Sequence, residues 1–282
     1  MLIAVASVKG SPGATSLAVG LAACWPAPGA VLVEADPAGG DLAFRFGRRR
    51  DPGLAELATD TRLGSRVPDL GAYTQRLPLG VDVVFAPPEQ KTSAVLGGPR
   101  GGDVYGESVQ AVRLVARNCV PLLRRAATDR LVLVDVGRLG WDSPAMPLVA
   151  AADVLLLVSR PGRDAVDAVR VRRDRLLGLT AKTTSIRLVL AGKLSGSPLK
   201  IAAAAGLPLA GALPDDRRAT AILTGRRRPG WGWTRLAYLR STQTVALDVQ
   251  LDHRRRAWAR HDASLKALLG QRVEPTTQWN TL

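Results

Sequence analysis

Six short, almost continuous apolar runs recur along this chain of 282 residues, with segments of helical character between them. Strands that are apolar on both faces are typical of a parallel sheet covered by helices, because neither face of such a sheet meets water. The pattern predicts an α/β fold with a single doubly wound, mostly parallel sheet and right-handed crossovers. The runs are Leu2–Val8, Ala30–Glu34, Val81–Ala86, Leu131–Asp135, Val154–Val158 and Ile186–Leu190.

The segments between these runs determine the expected domain organisation. Arg45–Leu79 is charged and interrupted by Gly and Pro, which predicts short helices and loops over the ligand end of the sheet. We expect one domain over residues 1–270, with a basic, helical part from 225 to 270, and a flexible tail over 271–282. The predicted helices are Thr15–Ala23, Tyr105–Ala126, Arg163–Leu177 and Pro198–Ala205.

A glycine-bearing loop joins the first apolar run to the first predicted helix, with the sequence Lys9-Gly10-Ser11-Pro12-Gly13-Ala14-Thr15-Ser16. In this setting, backbone N–H groups and a helix N-terminus can cradle a chain of phosphates. The two glycines permit a tight turn, and the Thr15 hydroxyl has the position of a Mg²⁺ ligand. Ala14 stands where a phosphate-binding lysine normally lies. The loop therefore predicts nucleotide binding, and the alternative is an ordinary turn between strand and helix.

Carboxylates follow two of the predicted buried strands. Asp36 comes two residues after the strand Ala30–Glu34, Asp41 follows five residues later beyond Gly39-Gly40, and Asp135 ends the strand Leu131–Asp135. In a parallel sheet these ends lie on the edge where ligands bind, close to the glycine-bearing loop. A carboxylate there can orient an attacking water molecule or bind Mg²⁺. The alternative for Asp36 is a surface turn.

Taken together, these motifs resemble those of the deviant Walker A ATPases, the ParA/MinD superfamily, over about Met1–Leu223. Within that superfamily, the Gly13-Ala14-Thr15 loop looks most like the CpaE/TadZ branch, the pilus-assembly localisation factors. The resemblance implies ATP and Mg²⁺ as cofactors. The matching motifs are Lys9-Gly10-x-x-Gly13-x-Thr15, Glu34-x-Asp36 with Asp41-Leu42, Val132–Asp135 and Leu213-Pro214-x-Asp216.

The resemblance also implies a role for each matching residue. Lys9 corresponds to the signature lysine, which reaches the partner's phosphates in a nucleotide-sandwich homodimer. Asp36 corresponds to the switch I aspartate that positions water, so Lys9 and Asp36 are the expected catalytic residues. Asp135 corresponds to the Walker B carboxylate, and Mg²⁺ would be held by Thr15, Asp36 and Asp135.

The remaining expected nucleotide contacts come from Asp41, from the whole loop Lys9–Ser16 and from Pro214 and Asp215, which fall in the segment that lines adenine in the superfamily. The chain departs from the family pattern in one further place. The asparagine that usually follows the sixth strand is missing, because the sequence there is Val189-Leu190-Ala191-Gly192-Lys193.

These features predict a nucleotide-dependent, dimerising positional factor that places a pilus or secretion machine. Because Ala14 removes a cation that would stabilise the transition state, we expect ATP hydrolysis to be weak or to depend on a partner. Two alternatives remain open at this stage. One is a ParA-like partition ATPase that binds nonspecific DNA, and the other is a scaffold that does not hydrolyse nucleotide.

The formal net charge of +15 suggests an anionic partner in addition to nucleotide. The basic part after residue 225 could contact nonspecific DNA or an acidic membrane surface. An Arg-, Ala-, Gly- and Pro-rich composition is also typical of GC-rich genomes, so the charge alone does not demonstrate DNA binding. The N-terminal apolar run is too short and lacks the basic flank of a signal peptide, which predicts a cytoplasmic protein, with a membrane-peripheral one as the alternative.

Overall fold

The computed structural model describes residues 1–10, 12–27, 29–63, 69–88, 106–181 and 183–270, with side-chain surroundings given as far as residue 264. Ser11 and the predicted tail over 271–282 lie outside the described residues. The described part of the chain contains an eight-stranded sheet in the order β3-β4-β2-β5-β1-β6-β7-β8. Its strands are β1 Leu2–Ser7, β2 Ala30–Glu34, β3 Gln75–Arg76, β4 Asp82–Val84, β5 Leu131–Arg138, β6 Val154–Ser159, β7 Ser185–Ala191 and β8 Leu209–Leu213.

All neighbouring strands pair in parallel except β3 and β4, which are antiparallel. This topology confirms the predicted α/β class and the mostly parallel sheet. The edge strands β3 and β8 were not predicted. β3 has only two residues, and β8 contains Gly211 and lacks β-branched residues, so neither carries the apolar signal of the central strands.

Helices cover both faces of the sheet. The predicted single helix Tyr105–Ala126 is wrong, because two helices occupy that region and meet at Cys119. Pro121 lies in the first turn of the second, where its missing N–H is tolerated. The helices are α1 Ala14–Cys24, α2 Leu42–Arg45, α3 Leu54–Arg62, α4 Glu107–Asn118, α5 Val120–Asp129, α6 Met146–Ala150, α7 Arg163–Leu179, α8 Pro198–Ala205, α9 Arg217–Leu223 and α10 Ala237–Gly270.

Two apolar layers form the core, one on each face of the sheet. Along β1, Leu2, Ala4 and Ala6 pack with α3 to α8, whereas Ile3 and Val5 pack with α1, α2, α9 and α10. This alternation follows from the pleat, which sends successive side chains to opposite faces. The central strands are therefore apolar throughout, as their sequences predicted.

The long helix α10 is anchored to the sheet through its first half. Val245 and Val249 are buried, and Arg187 of β7 forms ion pairs with Asp248 (2.6 Å) and Asp252 (3.3 Å). Beyond this anchor Trp258 is 75% exposed, and the side chains of Leu265, Leu268 and Leu269 lie outside the described residues. Among the described residues, no helix has the length and apolarity that a bilayer-crossing segment requires.

Candidate nucleotide site

A cavity of about 630 Å³ opens at the carboxyl edge of the sheet, which is where ligands bind in folds of this class. Its volume lies in the range of small-molecule and cofactor sites. Most of the predicted binding residues line it, although Lys9 and Asp135 do not. The predicted residues that line it are Gly10, Pro12–Ser16, Asp36, Asp41, and Pro214 with Asp215.

The glycine-bearing loop runs from the end of β1 to the start of α1 along the cavity wall. Gly10 (φ 69°) and Gly13 (φ 97°) both have left-handed backbone conformations, which glycine adopts without steric penalty. Gly13 is the residue immediately before α1, and its carbonyl accepts the first helical hydrogen bond, from the N–H of Leu17 at 2.9 Å. The first N–H groups of a helix have no partner within the helix, so this end of α1 can bind an anion.

Ala14 begins α1 and is nearly buried. Its methyl group belongs to the apolar layer that contains Leu17 and Val5. The position that would carry the phosphate-binding lysine therefore contributes packing and no charge. Any positive charge at the phosphates must come from another residue of this chain or from a second copy of it.

Asp135 lies at the end of β5 beneath the cavity and is 1% exposed. Burial raises the pKa of this carboxyl to about 6, whereas nearby Thr15 and the backbone N–H of Gly137 act in the opposite direction. The Gly137 N–H donates to Oδ1 at 3.1 Å. Within the described part of the chain, no hydrogen bond of normal geometry reaches Oδ2, so a buried carboxylate oxygen is left for another partner.

Asp36 follows β2 and lies against Gly137. A Cβ atom at position 137 would overlap the Asp36 carboxylate, so the absence of a side chain there allows the two strand ends to approach. Asp36 is also held from its own loop, because Oδ1 accepts from the N–H of Ala38 at 2.9 Å. The negative charge of Asp36 contributes to the raised pKa of Asp135, after the larger effect of burial.

These residues fit a Mg²⁺ ion bound together with a nucleotide. The orphaned Oδ2 of Asp135, the Thr15 hydroxyl and the Asp36 carboxylate are the oxygen ligands that this cation prefers. No group of three or more His, Cys, Asp or Glu side chains among the described residues could hold a metal alone. Mg²⁺ commonly combines one or two carboxylates with substrate phosphates, so phosphate oxygens would complete the site.

Glu34 precedes these carboxylates and has a supporting function that the sequence did not reveal. It is buried, and it accepts hydrogen bonds from the backbone N–H groups of Asp41 (2.9 Å), Leu42 (3.1 Å) and Ala86 (3.1 Å). Burial is the main cause that raises its pKa to about 7, against these bonds. Gly40 makes room for the carboxylate, because a Cβ there would overlap it. Glu34 thus fixes the loop that carries Asp41.

Lys9 points to the start of α7 and not into the cavity of its own chain. Its Nζ lies 2.9 Å from Oδ2 of Asp164, and both side chains are more than half exposed. The lysine holds the pKa of the Asp164 carboxyl below its usual value through a hydrogen bond and its charge. An exposed pair of this kind contributes little stability, so its lysine can be released to another anion.

Three arginines line the cavity that the motifs did not identify: Arg45, Arg138 and Arg160. Arg45 ends α2 and lies 2.7 Å from Asp41, whereas Arg160 follows β6 and lies 3.8 Å from Asp215. None belongs to a spacing pattern that marks phosphate binding, since each reaches the cavity through the arrangement of strands. The cavity is therefore lined by both acidic and basic side chains.

Solved structures share this fold. The septum site-determining protein MinD of Pyrococcus horikoshii OT3, in complex with Mg-ADP, matches at a TM-score of 0.64 and 14% identity, covering 88% of this chain and 95% of that one. The cell division ATPase MinD of Pyrococcus furiosus matches at 0.61 and 16%, covering 88% and 98%. A ParA family ATPase of Chlorobium tepidum TLS matches at 0.60 and 18%, covering 87% and 98%.

The chain thus has the fold of the MinD and ParA ATPases. No protein-family model matches the sequence, and no curated protein sequence matches it either. At identities of 14 to 18%, the likeness concerns the fold, and the function must be argued from the site.

Proposed function

We propose that this protein is a nucleotide-dependent, dimerising localisation factor of the MinD/ParA kind that binds ATP with Mg²⁺. The main support for the proposal is the buried Oδ2 of Asp135, which has no hydrogen bond of normal geometry among the described residues and lies close to Thr15, beneath a cavity lined by the glycine-bearing loop and the start of α1. A buried carboxylate oxygen without a partner is destabilising unless a cation or donor joins it. A Mg²⁺-bound nucleotide satisfies it and also meets the helix N-terminus.

Different residues of this site would bind the phosphates, contact the base and position water. The amides of Gly10 and of Gly13 to Ser16 bind the phosphate chain, and Pro214 and Asp215 line the same cavity, where by the family resemblance the base would lie. When bound, Mg²⁺ neutralises charge on the phosphates. Asp36 holds the attacking water, and because Ala14 supplies no cation, hydrolysis is weak or depends on a partner.

Dimerisation gives Lys9 its function. In this proposal Lys9 leaves Asp164 and contacts the phosphates bound to a second copy of the chain. Lys9→Ala should therefore abolish ATP-dependent dimerisation, measured by light scattering with and without Mg-ATP. The matched control is Asp164→Ala, which removes the partner of Lys9 and leaves the lysine free, so it should still dimerise.

The two variants separate the possible roles of this lysine. Equal dimerisation of wild type and Lys9→Ala would contradict the assignment. Loss of dimerisation in both variants would show that the ion pair acts only within one chain. Either result would leave nucleotide binding itself to be judged separately.

The proposed cellular role is the placement of a pilus or secretion machine, which rests on the likeness of the Gly13-Ala14-Thr15 loop to the CpaE/TadZ branch. Co-purification of the ATP-bound dimer with a component of such a machine tests this role, with Lys9→Ala as the negative control. Recovery of the component with the variant as readily as with wild type would contradict nucleotide-dependent recruitment.

A ParA-like function on nonspecific DNA is the second candidate, and exposed basic residues in the second half of α10 favour it. Arg254, Arg255 and Arg260 are exposed there, and in the loop before α10 Trp231 is 91% exposed with Arg235 stacked 5.2 Å from its ring centre. DNA affinity that falls steeply with salt would favour this candidate. Binding to anionic vesicles that is lost in Trp258→Ala would instead favour a membrane surface.

A further inference from the structure

The phosphate end of the cavity lacks the cation that a phosphate loop usually provides. Ala14 occupies that position and packs into the core. Backbone amides bind phosphate oxygens, but a full positive charge on a side chain makes such hydrogen bonds about twice as strong. Three arginines that line the cavity could supply this charge, provided that one of them reaches the phosphates.

The backbone of Arg45, one of these three, is held from two sides. It closes the short helix α2, where its N–H donates to the Asp41 carbonyl at 2.9 Å. Its own carbonyl lies against Gly225, whose left-handed backbone (φ 73°) and missing side chain allow the loop after α9 to approach. The side chain extends from this fixed point to the cavity and is about one-third exposed.

The surroundings of the Arg45 guanidinium place it at the phosphate end. Its Nη2 donates to Oδ2 of Asp41 at 2.7 Å. Asp41 is fixed near Asp135, because its N–H donates to Glu34 Oε1 at 2.9 Å and Glu34 pairs with Asp135 across β2 and β5. Arg160, by contrast, pairs with Asp215 on the side of the cavity where the base would lie.

We propose that Arg45 supplies, from α2, the phosphate-binding cation that the loop lacks at position 14, and that Asp41 holds this arginine in place before nucleotide binds. The proposal rests on the proposed nucleotide site. The ion pair between Arg45 and the exposed Asp41 carboxylate, four residues apart, is weak. Arg45 can therefore leave Asp41 and bind a phosphate at little cost in free energy. A guanidinium can also grip phosphate oxygens through two N–H groups at once.

Nucleotide titration by calorimetry tests this assignment. Arg45→Ala should weaken the binding of Mg-ATP and Mg-ADP by about 10-fold or more, equivalent to about 1.4 kcal/mol. Arg45→Lys should retain only part of the affinity. Lysine keeps the positive charge but cannot bind phosphate oxygens through two N–H groups in the fixed geometry of a guanidinium. Arg49→Ala is the matched control and should bind as wild type does, because Arg49 is 81% exposed and pairs with Asp51 outside the cavity.

Restoring the lysine tests the substitution directly. In the Arg45→Ala background, Ala14→Lys should recover most of the lost affinity, which a merely structural role of Arg45 does not predict. Thermal unfolding of each variant checks that the crowded position 14 accepts the larger side chain. If the double variant does not fold, the comparison of Arg45→Ala, Arg45→Lys and Arg49→Ala alone decides.

The outcomes are distinguishable from those of the proposed function. If wild type binds no nucleotide, the proposed function and this assignment both fail. If wild type binds and folded Arg45→Ala binds equally tightly, only the assignment of Arg45 fails. A folded double variant that recovers no affinity would likewise contradict the proposal that Arg45 takes the role of the lysine missing at position 14.

Discussion

Gly137→Ala is expected to abolish nucleotide hydrolysis while leaving the sheet folded. The new methyl group would overlap the Asp36 carboxylate, which must then move away from the end of β5. Displacing a residue that positions or activates water typically costs about 100-fold or more in rate. We therefore expect phosphate release in single-turnover assays to fall by at least about 100-fold, or to background.

Gly80→Ala is the matched control for the backbone effect. Both glycines have left-handed conformations (φ 59° and 78°), and alanine in such a conformation costs about 1–2 kcal/mol. Position 80 precedes β4, at the sheet edge opposite the cavity, and an added Cβ meets only the end of Arg76 at 3.8 Å. Gly80→Ala should thus show the backbone cost alone and hydrolyse as wild type does, whereas Gly137→Ala adds the overlap with Asp36 and loses hydrolysis. Hydrolysis by Gly137→Ala at the wild-type rate would contradict the role of Asp36.

Asp135→Asn should remove the Mg²⁺ dependence of nucleotide binding and yet stabilise the empty protein above pH 6. The first effect follows because the amide is a much weaker ligand than the carboxylate for Mg²⁺. The second follows from linkage. Burial raises the pKa of Asp135 from 3.8 to about 6, so stability contributed by the protonated carboxyl is complete below pH 3.8 and is lost as pH rises through about 6.

Asparagine stays neutral and avoids that loss. The gain in the free energy of unfolding should be of the order of 3 kcal/mol at pH 8 and should disappear near pH 4, measured by denaturant unfolding without nucleotide. Calorimetry with ATP in Mg²⁺ and in EDTA provides the binding readout. A variant that is less stable than wild type at pH 8, or one that retains the Mg²⁺ effect, would argue against Asp135 as a buried metal ligand.

The sequence predicted the features that depend on local chemistry. The central strands follow from continuous apolar runs, and the phosphate loop follows from glycines between a strand and a helix. The meeting of Asp36 and the loop at one edge follows from parallel pairing. Each of these predictions needs only short stretches of adjacent residues and the general geometry of parallel sheets.

Features that depend on contacts between residues far apart in the chain could not be predicted from the sequence. The backbone of Arg45 packs against Gly225 of a remote loop, and the Glu34 carboxylate accepts a hydrogen bond from the N–H of Ala86, 52 residues away. The Lys9–Asp164 pair joins the loop after β1 to α7. The sequence does not reveal the break between α4 and α5, because the amphipathic pattern continues from one helix to the next around Cys119.

Calorimetric titration of the wild-type chain with ATP, in the presence of Mg²⁺ and again in EDTA, tests the central claim most directly. We expect saturable binding of one nucleotide per chain, tighter with Mg²⁺, and a matching rise in the thermal unfolding temperature. The absence of both binding heat and thermal stabilisation at millimolar Mg-ATP would contradict a nucleotide site at the carboxyl edge of the sheet.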